Sequence, residues 1–371
     1  MATASPGADS GYRWETITNL LVKRVYTSVL AVGGQLYLVG GSNAEGKGTD
    51  DFHCYNPRNK RWARLCNLPT ARAGAAALAV GNTIYIVGGV GADALPVDAV
   101  ESFDVANKKG QWRKDIKPLS DRIQGVSAVG YNDKVLVVGG MKPDTTPCER
   151  CRVLDPEKNL WLSLPDLPTP RYAMGTFLKG DKLYLVGGRI AKAICTAVEV
   201  LNIVERTWTS LQPIPTKRSF HCTVATDRNI YCLGGFKENP KDGFHKAVEE
   251  YDIDKDEWTQ IEPMQHARGD FTSDVVGGKV VVVGGMGFSK EPLRTAEVLD
   301  PETKTWTPLP ACATSRSTAA SALLDGKLII VGGMTPTGLT QAADVLATTT
   351  AASSGGQGAA SSQTRNSGKR R

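Results

Sequence analysis

Seven tryptophans punctuate this chain of 371 residues, at Trp14, Trp62, Trp112, Trp161, Trp208, Trp258 and Trp306, and an arginine stands ten residues after every one. Those arginines are Arg24, Arg72, Arg122, Arg171, Arg218, Arg268 and Arg316. A glycine pair then follows in each unit: Gly40-Gly41, Gly88-Gly89, Gly139-Gly140, Gly187-Gly188, Gly234-Gly235, Gly284-Gly285 and Gly332-Gly333. Successive pairs are 48, 51, 48, 47, 50 and 48 residues apart. The second glycine follows its arginine by 17 residues everywhere except at Gly140, which follows Arg122 by 18. A period this regular restricts the chain to a repeat architecture, in which no unit buries a core alone and neighbours must stack. Length alone, at about 150 residues per domain, suggests two or three domains; the repeat replaces them with one array.

Within a unit the residues alternate and then become β-branched, as in Gly180-Asp-Lys-Leu-Tyr-Leu-Val-Gly-Gly188. That pattern predicts a strand, a tight turn and a second strand ending at the glycines. A variable loop follows, then a third strand such as Ala247 to Asp252 and a turn such as Asp300-Pro-Glu-Thr-Lys304. The fourth strand carries the tryptophan. The stretch Ala73 to Ala92 has no charged residue and approaches the length of a membrane helix. Its glycines and the Gly81-Asn82 turn signal make it two strands instead.

The Arg…Tyr-x-x-Gly-Gly…Tyr-Asp…Trp pattern resembles the kelch superfamily over about residues 12 to 347. Leu68 to Ala77, Gly140 to Thr145, Trp161 to Pro165 with Pro168 to Pro170, and Arg24 to Tyr26 are similar to the kelch domain-containing protein 8 group. The resemblance implies an all-β, seven-bladed kelch β-propeller with four antiparallel strands per blade. Blades are expected at about 24–66, 72–116, 122–165, 171–212, 218–262, 268–310 and 316–347, the last completed by 12–18. Trp14 lacks three strands before it, and the C-terminal unit lacks a tryptophan strand after it. The two fragments sum to one blade, so the N-terminal strand should pair with the C-terminal blade and close the ring, removing free sheet edges. Residues 1–11 and the Ala/Ser/Thr/Gly-rich segment 348–371 are expected to be disordered by composition.

Recurrence in every unit makes the tryptophans, arginines and glycine pairs structural, because a ligand meets each blade from a different angle. Function is therefore sought beside them. With the four strands of a unit named a to d in chain order, their alternation puts the long b–c loops and the d–a loops on one face, where binding is expected. In peptide-binding kelch propellers the resemblance implies contacts just after the blade arginine and just after the glycine pair. On this chain the candidate partner-binding residues are Tyr26, Gln124, Tyr172, Phe220 and Asp270 after the arginine, and Met141, Arg189, Phe236, Met286 and Met334 after the glycines. Apolar and aromatic anchors with few charges suit a hydrophobic hot spot on a peptide or protein. The oxidative-stress-sensing BTB–kelch adaptor presents several arginines here for an acidic peptide, and this chain departs from that.

Chemistry-bearing motifs are sparse. Cys148-Glu-Arg-Cys151 is the only CxxC, with no second cysteine or histidine pair at zinc spacing. His53, His221, His245 and His266 lie in different units, which argues against a copper site like that of galactose oxidase, itself a kelch propeller. No phosphate loop, nucleophile elbow or His-Glu-x-x-His occurs. Neither a catalytic site, a metal nor a cofactor is expected. Arg268-Gly269-Asp270 spells an integrin-type tripeptide by coincidence, since its arginine is the blade arginine. Of 44 basic residues, Arg365, Lys369, Arg370 and Arg371 fall after Thr348, leaving 40 against 38 acidic residues in the body. A basic surface for nucleic acid is not expected.

The expected function is a cytoplasmic, non-enzymatic interaction scaffold, monomeric and without membrane insertion. Met1 to Gly11 has no apolar run that would start a signal peptide, and the cysteines are expected to be reduced. The kelch 8 resemblance implies a link to cell division, with nuclear or midbody association. The residues before the first strand leave no room within this chain for BTB or BACK domains. A substrate receptor of a cullin-RING ligase and a sugar-modifying kelch enzyme are the alternatives; the former expects a helical elongin-binding segment, whose apolar period the tail lacks.

Overall fold

The computed structural model describes residues 11–107, 110–191 and 193–349; of the segments 1–11 and 348–371, expected above to be disordered, residues 1–10 and 350–371 lie outside them, while Thr348 ends a strand. Seven antiparallel sheets follow one another along the chain. In blade 1, strands a to d are Ser28–Val32, Gln35–Val39, Phe52–Asn56 and Arg61–Arg64, hydrogen-bonded in that order. The a strands of neighbouring blades touch one another all the way round, which places them at the axis of a closed seven-bladed β-propeller. The charge-free stretch forms strands a and b of blade 2, Ala76–Val80 and Thr83–Val87. Among the described residues no helix is long and apolar enough to cross a membrane.

Blade 7 contains strands Ala320–Leu324, Lys327–Val331 and Ala343–Thr348, and its fourth strand is Tyr12–Thr16 from the other end of the chain. Trp14 pairs with Leu346, and Tyr12 with Thr348. The hydrophobic core divides into seven clusters, one at each blade–blade interface, and each holds or packs against one tryptophan. Each indole N–H donates to a carbonyl of the preceding blade: Trp14 to Pro310 (2.7 Å), Trp62 to Thr18 (2.9 Å), Trp112 to Cys66 (3.3 Å), Trp161 to Lys117 (2.7 Å), Trp208 to Pro165 (2.9 Å), Trp258 to Gln212 (2.8 Å) and Trp306 to Glu262 (2.8 Å). One side chain thus supplies both apolar area and a directional bond at each interface.

Blade 2 departs from the expected four strands. Its fourth is reduced to a single bridge between Ser102 and Arg113. In blades 1 and 3 to 6 the tryptophan stands seven residues after its strand-c partner, as Tyr55 pairs with Trp62 and Leu154 with Trp161. The corresponding Phe103 and Trp112 are nine apart, so a longer turn delivers the chain to the edge and regular pairing is lost.

The blade arginines hold strand ends. Arg268 donates to the carbonyls of Gly284 (2.7 Å) and Thr295 (3.1 Å) and pairs with buried Glu297 (2.5 Å). Arg72 with Glu101 (2.6 Å), Arg171 with Glu199 (2.9 Å), Arg218 with Glu249 and Arg316 with Asp344 repeat the arrangement. In blade 1, His53 occupies the acid's place at 3.3 Å from the Arg24 guanidinium, and Asp51 supplies the charge at 3.3 Å. Burial, then Arg24, pushes the His53 imidazole down to about 4, so it stays neutral.

Blade 3 corrects the expected arginine series: Arg122 is exposed. The 18-residue spacing to Gly140 places Ile123, fully buried, in the arginine's register, where its carbonyl accepts from Gly89 N–H (3.0 Å). The Arg72 carbonyl accepts from Gly41 in the same way (3.0 Å). The positive charge comes instead from strand c, where Arg152 replaces glutamate and pairs with Asp121 (3.1 Å) and Ser120 Oγ (2.9 Å). The pair is kept with its polarity reversed. Burial raises the Asp121 carboxyl, but Ser120, Arg152 and Arg150 together outweigh that and hold it low.

The second glycine of every pair has φ between +90° and +109°, a region closed to residues with a Cβ. At Gly88 a Cβ would also lie 2.7 Å from the Ile123 carbonyl oxygen. Backbone of neighbouring blades meets at these glycines, which is why the sequence spends two per unit there.

Candidate functional site: the rim of the propeller axis

The residue after the arginine register bridges to the residue after the glycine pair in all seven blades: Val25 with Ser42, Ala73 with Val90, Gln124 with Met141, Tyr172 with Arg189, Ser219 with Phe236, Gly269 with Met286, and Ser317 with Met334. The candidate residues expected just after the arginines and just after the glycines therefore stand side by side at one end of the blades. One position further on, every blade turns left-handed, at Tyr26, Gly74, Gly125, Ala173, Phe220, Asp270 and Thr318, with φ between +50° and +58°. Three neighbouring pairs in this ring are hydrogen-bonded through their backbones. Gly74 N–H donates to Tyr26 O (2.9 Å), Ala173 to Gly125 (3.3 Å) and Thr318 to Asp270 (2.8 Å). These seven residues form the mouth of the axis on the b–c/d–a face.

Side chains at the mouth are unequal. Tyr26 is 57% exposed and Phe220 42%. Phe220 meets Phe236 edge-on with centroids 6.1 Å apart, and Phe236 packs on Phe244 at 4.4 Å. Arg189 lies over the Phe220 ring, 5.6 Å from its centroid, and its guanidinium donates to Ser219 Oγ (3.4 Å). Tyr172 donates to the Ala191 carbonyl (3.0 Å). Gln124, Met141, Phe236, Asp270 and Met286 are half-buried, and Met334 is exposed. Burial raises the Asp270 carboxyl. Burial, with a smaller contribution from Asp270, raises the Tyr26 phenol. Four residues along blade 6, Asp274 is likewise raised by burial.

A large cavity lies at the other end. It measures about 1290 Å³ and is lined by the a–b and c–d turns of blades 4 to 6, including Phe177, Lys179, Arg228, Lys279, Asp300 and Glu302. Its lysines are engaged, Lys179 with the Asp227 carbonyl and Lys279 with Asp300, both at 2.8 Å.

Residues with metal or redox chemistry do not converge. Cys148 packs between blades 2 and 3 and Cys151 between blades 3 and 4, on opposite sides of one sheet. Burial pushes the Cys151 thiol up to about 12. A thiol-alkylating reagent at pH 8 is expected to label neither residue until denaturant is added; fast labelling of native protein would contradict this burial. Among the described residues no group of three His, Cys, Asp or Glu side chains could hold a metal ion. Both ring nitrogens of His221 are buried, and burial lowers it to about 3. Arg268 is buried on Glu297, so the Arg-Gly-Asp tripeptide is not displayed as a unit.

Sequence reasoning missed the strand-c acids and the tryptophan acceptors. The acids had a signal: Glu199, Glu249 and Glu297 each stand nine residues before a tryptophan, as do His53 and Arg152. The acceptors are backbone carbonyls and carry no residue signature.

A closed ring of seven antiparallel units, six of them four-stranded, stapled by tryptophan and arginine, defines a kelch-type β-propeller with a loop-built rim. The chain belongs to the KLHDC2/KLHL20/DRC7 Kelch-repeats domain family, which matches residues 12–165 and 125–333. It is 30% identical to Kelch-like protein 41a of Danio rerio over 142 residues, 36% of this chain and 22% of that one. It is 25% identical to Kelch-like protein 23 of Homo sapiens over 200 residues, 53% of this chain and 34% of the relative. The aligned segments thus span about a fifth to a third of these relatives' length. The solved structure of YjhT superposes with a TM-score of 0.61 at 15% identity, covering 79% of this chain and 99% of that one, a likeness of fold.

Proposed function

We propose that this protein is a non-enzymatic interaction scaffold that binds a peptide or protein segment on the b–c/d–a face. One observation carries the reading. Of the ten exposed large hydrophobic residues among those described, Leu21, Tyr26, Leu95, Ile190, Phe220, Phe288 and Met334 lie in loops of that face. Scattered apolar residues are ordinary on a surface, whereas concentration on one loop face of a rigid scaffold marks a docking surface. Similarity to Kelch-like proteins supports the interaction role. The kelch 8 resemblance supports placing it in cell division, in the cytoplasm with nuclear or midbody association, and the propeller is read as a monomer.

The test is affinity purification from dividing cells with wild type and an Arg189→Glu, Tyr172→Ala, Phe220→Ala variant. Partners specific to the wild type are expected to fall at least tenfold with the variant. Undiminished recovery would place binding elsewhere, the 1290 Å³ cavity being the next candidate. Elongins or a cullin among the proteins lost would favour the alternative reading, a substrate receptor of a cullin-RING ligase.

A further inference from the structure

The seven left-handed mouth positions are equivalent in backbone, yet they are filled very differently. Blades 2, 3 and 4 place Gly74, Gly125 and Ala173 there, while blades 1 and 5 place Tyr26 and Phe220 at φ +53° and +50°. A bulky side chain at positive φ is sterically costly, and such outliers cluster at functional sites. Stability alone favours glycine at this turn. Both rings are substantially exposed, so burial of apolar area does not compensate fully. They are displayed.

Between blades 1 and 5 in the other direction round the ring stand Thr318 and Asp270. No basic residue occupies any of the seven mouth positions. The Asp270 carboxylate, partly withdrawn from water, has no basic side chain paired with it among the described residues. Two aromatic rings and an uncompensated carboxylate around one opening are complementary to a cation, which gains from the ring quadrupoles and from a charge-assisted hydrogen bond. Phe220 already takes one guanidinium, that of Arg189 at 5.6 Å.

We propose that the mouth formed by Tyr26, Phe220 and Asp270 receives an arginine or lysine side chain of the partner segment. This rests on the reading that the b–c/d–a face is the binding face. The remaining exposed apolar residues of the face would hold the flanking residues, and the mouth would select for the cation.

The probe is a random dodecapeptide library displayed on phage and selected on the full chain. Selected peptides are expected to share one basic position. Changing it to glutamine should weaken binding at least tenfold to wild type and less than twofold to an Asp270→Asn variant. A Tyr26→Gly, Phe220→Gly variant should bind at least tenfold more weakly while its melting temperature holds or rises, because glycine adopts this φ without strain. A merely structural role for the rings would instead lower the melting temperature. Peptides that need Phe220 but no basic residue would overturn the cation reading and leave the binding face standing. Peptides indifferent to every rim change, or no selected peptide at all, would overturn both.

Discussion

Removal of residues 1–20 is expected to lower the melting temperature by upwards of about 10 °C and to promote edge-to-edge association. The deletion takes the outer strand from blade 7 and leaves the Ala343–Thr348 edge unpaired. It also removes the Trp14 indole bond to Pro310, the Tyr12 hydroxyl bond to the Val276 carbonyl (2.9 Å), and the Glu15–Lys327 ion pair (3.0 Å). Trp62 loses its acceptor at Thr18 and Leu20, 3% exposed, leaves the interface between blades 7 and 1. Loss of one packed tryptophan costs about 3–5 kcal/mol, and at roughly 2–4 °C per kcal/mol the sum exceeds any single surface change. Adding a synthetic peptide of residues 9–22 should restore part of the loss. An unchanged melting temperature in the deletion would sink the closure by the N-terminal strand.

The second large effect is expected in blade 3. Arg152→Glu sets a new carboxylate beside Asp121 in a site where Arg152 is 8% and Asp121 23% exposed. Breaking a buried pair in this way costs about 3–5 kcal/mol. Ile123→Arg alone should be comparably harmful, since it inserts a guanidinium beside Arg152 into the core cluster between blades 2 and 3. The double variant rebuilds the polarity of the other blades, an arginine before strand a facing a glutamate on strand c. It should be more stable than either single variant by about 2 kcal/mol or more, a coupling of the size that neighbouring charges give. Denaturant titration of the four proteins measures it. If the two single losses simply add, Ile123 does not stand in the arginine's place and the reversed pair is wrongly assigned.

Both results concern features only partly legible in the chain. The Trp, Arg and Gly-Gly spacing exposes the number of blades because each recurs at a fixed position of a short strand. The 18-residue interval before Gly140 was the visible trace of the blade 3 exchange, but spacing cannot say which neighbour takes over a charge. Glu101 stands eleven residues before Trp112 rather than nine, the same lengthened turn that reduces the fourth strand of blade 2 to one bridge. At the rim, Tyr26, Phe220 and Asp270 were readable as residues beside the repeat. Their shared left-handed backbone was not, because glycine, alanine, threonine, tyrosine, phenylalanine and aspartate have no common local signature.

Local pattern and period determined the strands, the repeat, the count of seven and the complementary ends, since these depend on residues close in sequence. The tertiary structure alone decided what meets across blades. It joined Trp14 to Pro310, set Arg152 against Asp121, and gathered Tyr26, Phe220 and Asp270 at one mouth from positions up to 244 residues apart. Ring closure brings together residues that no interval in the sequence relates, and the site is made of those.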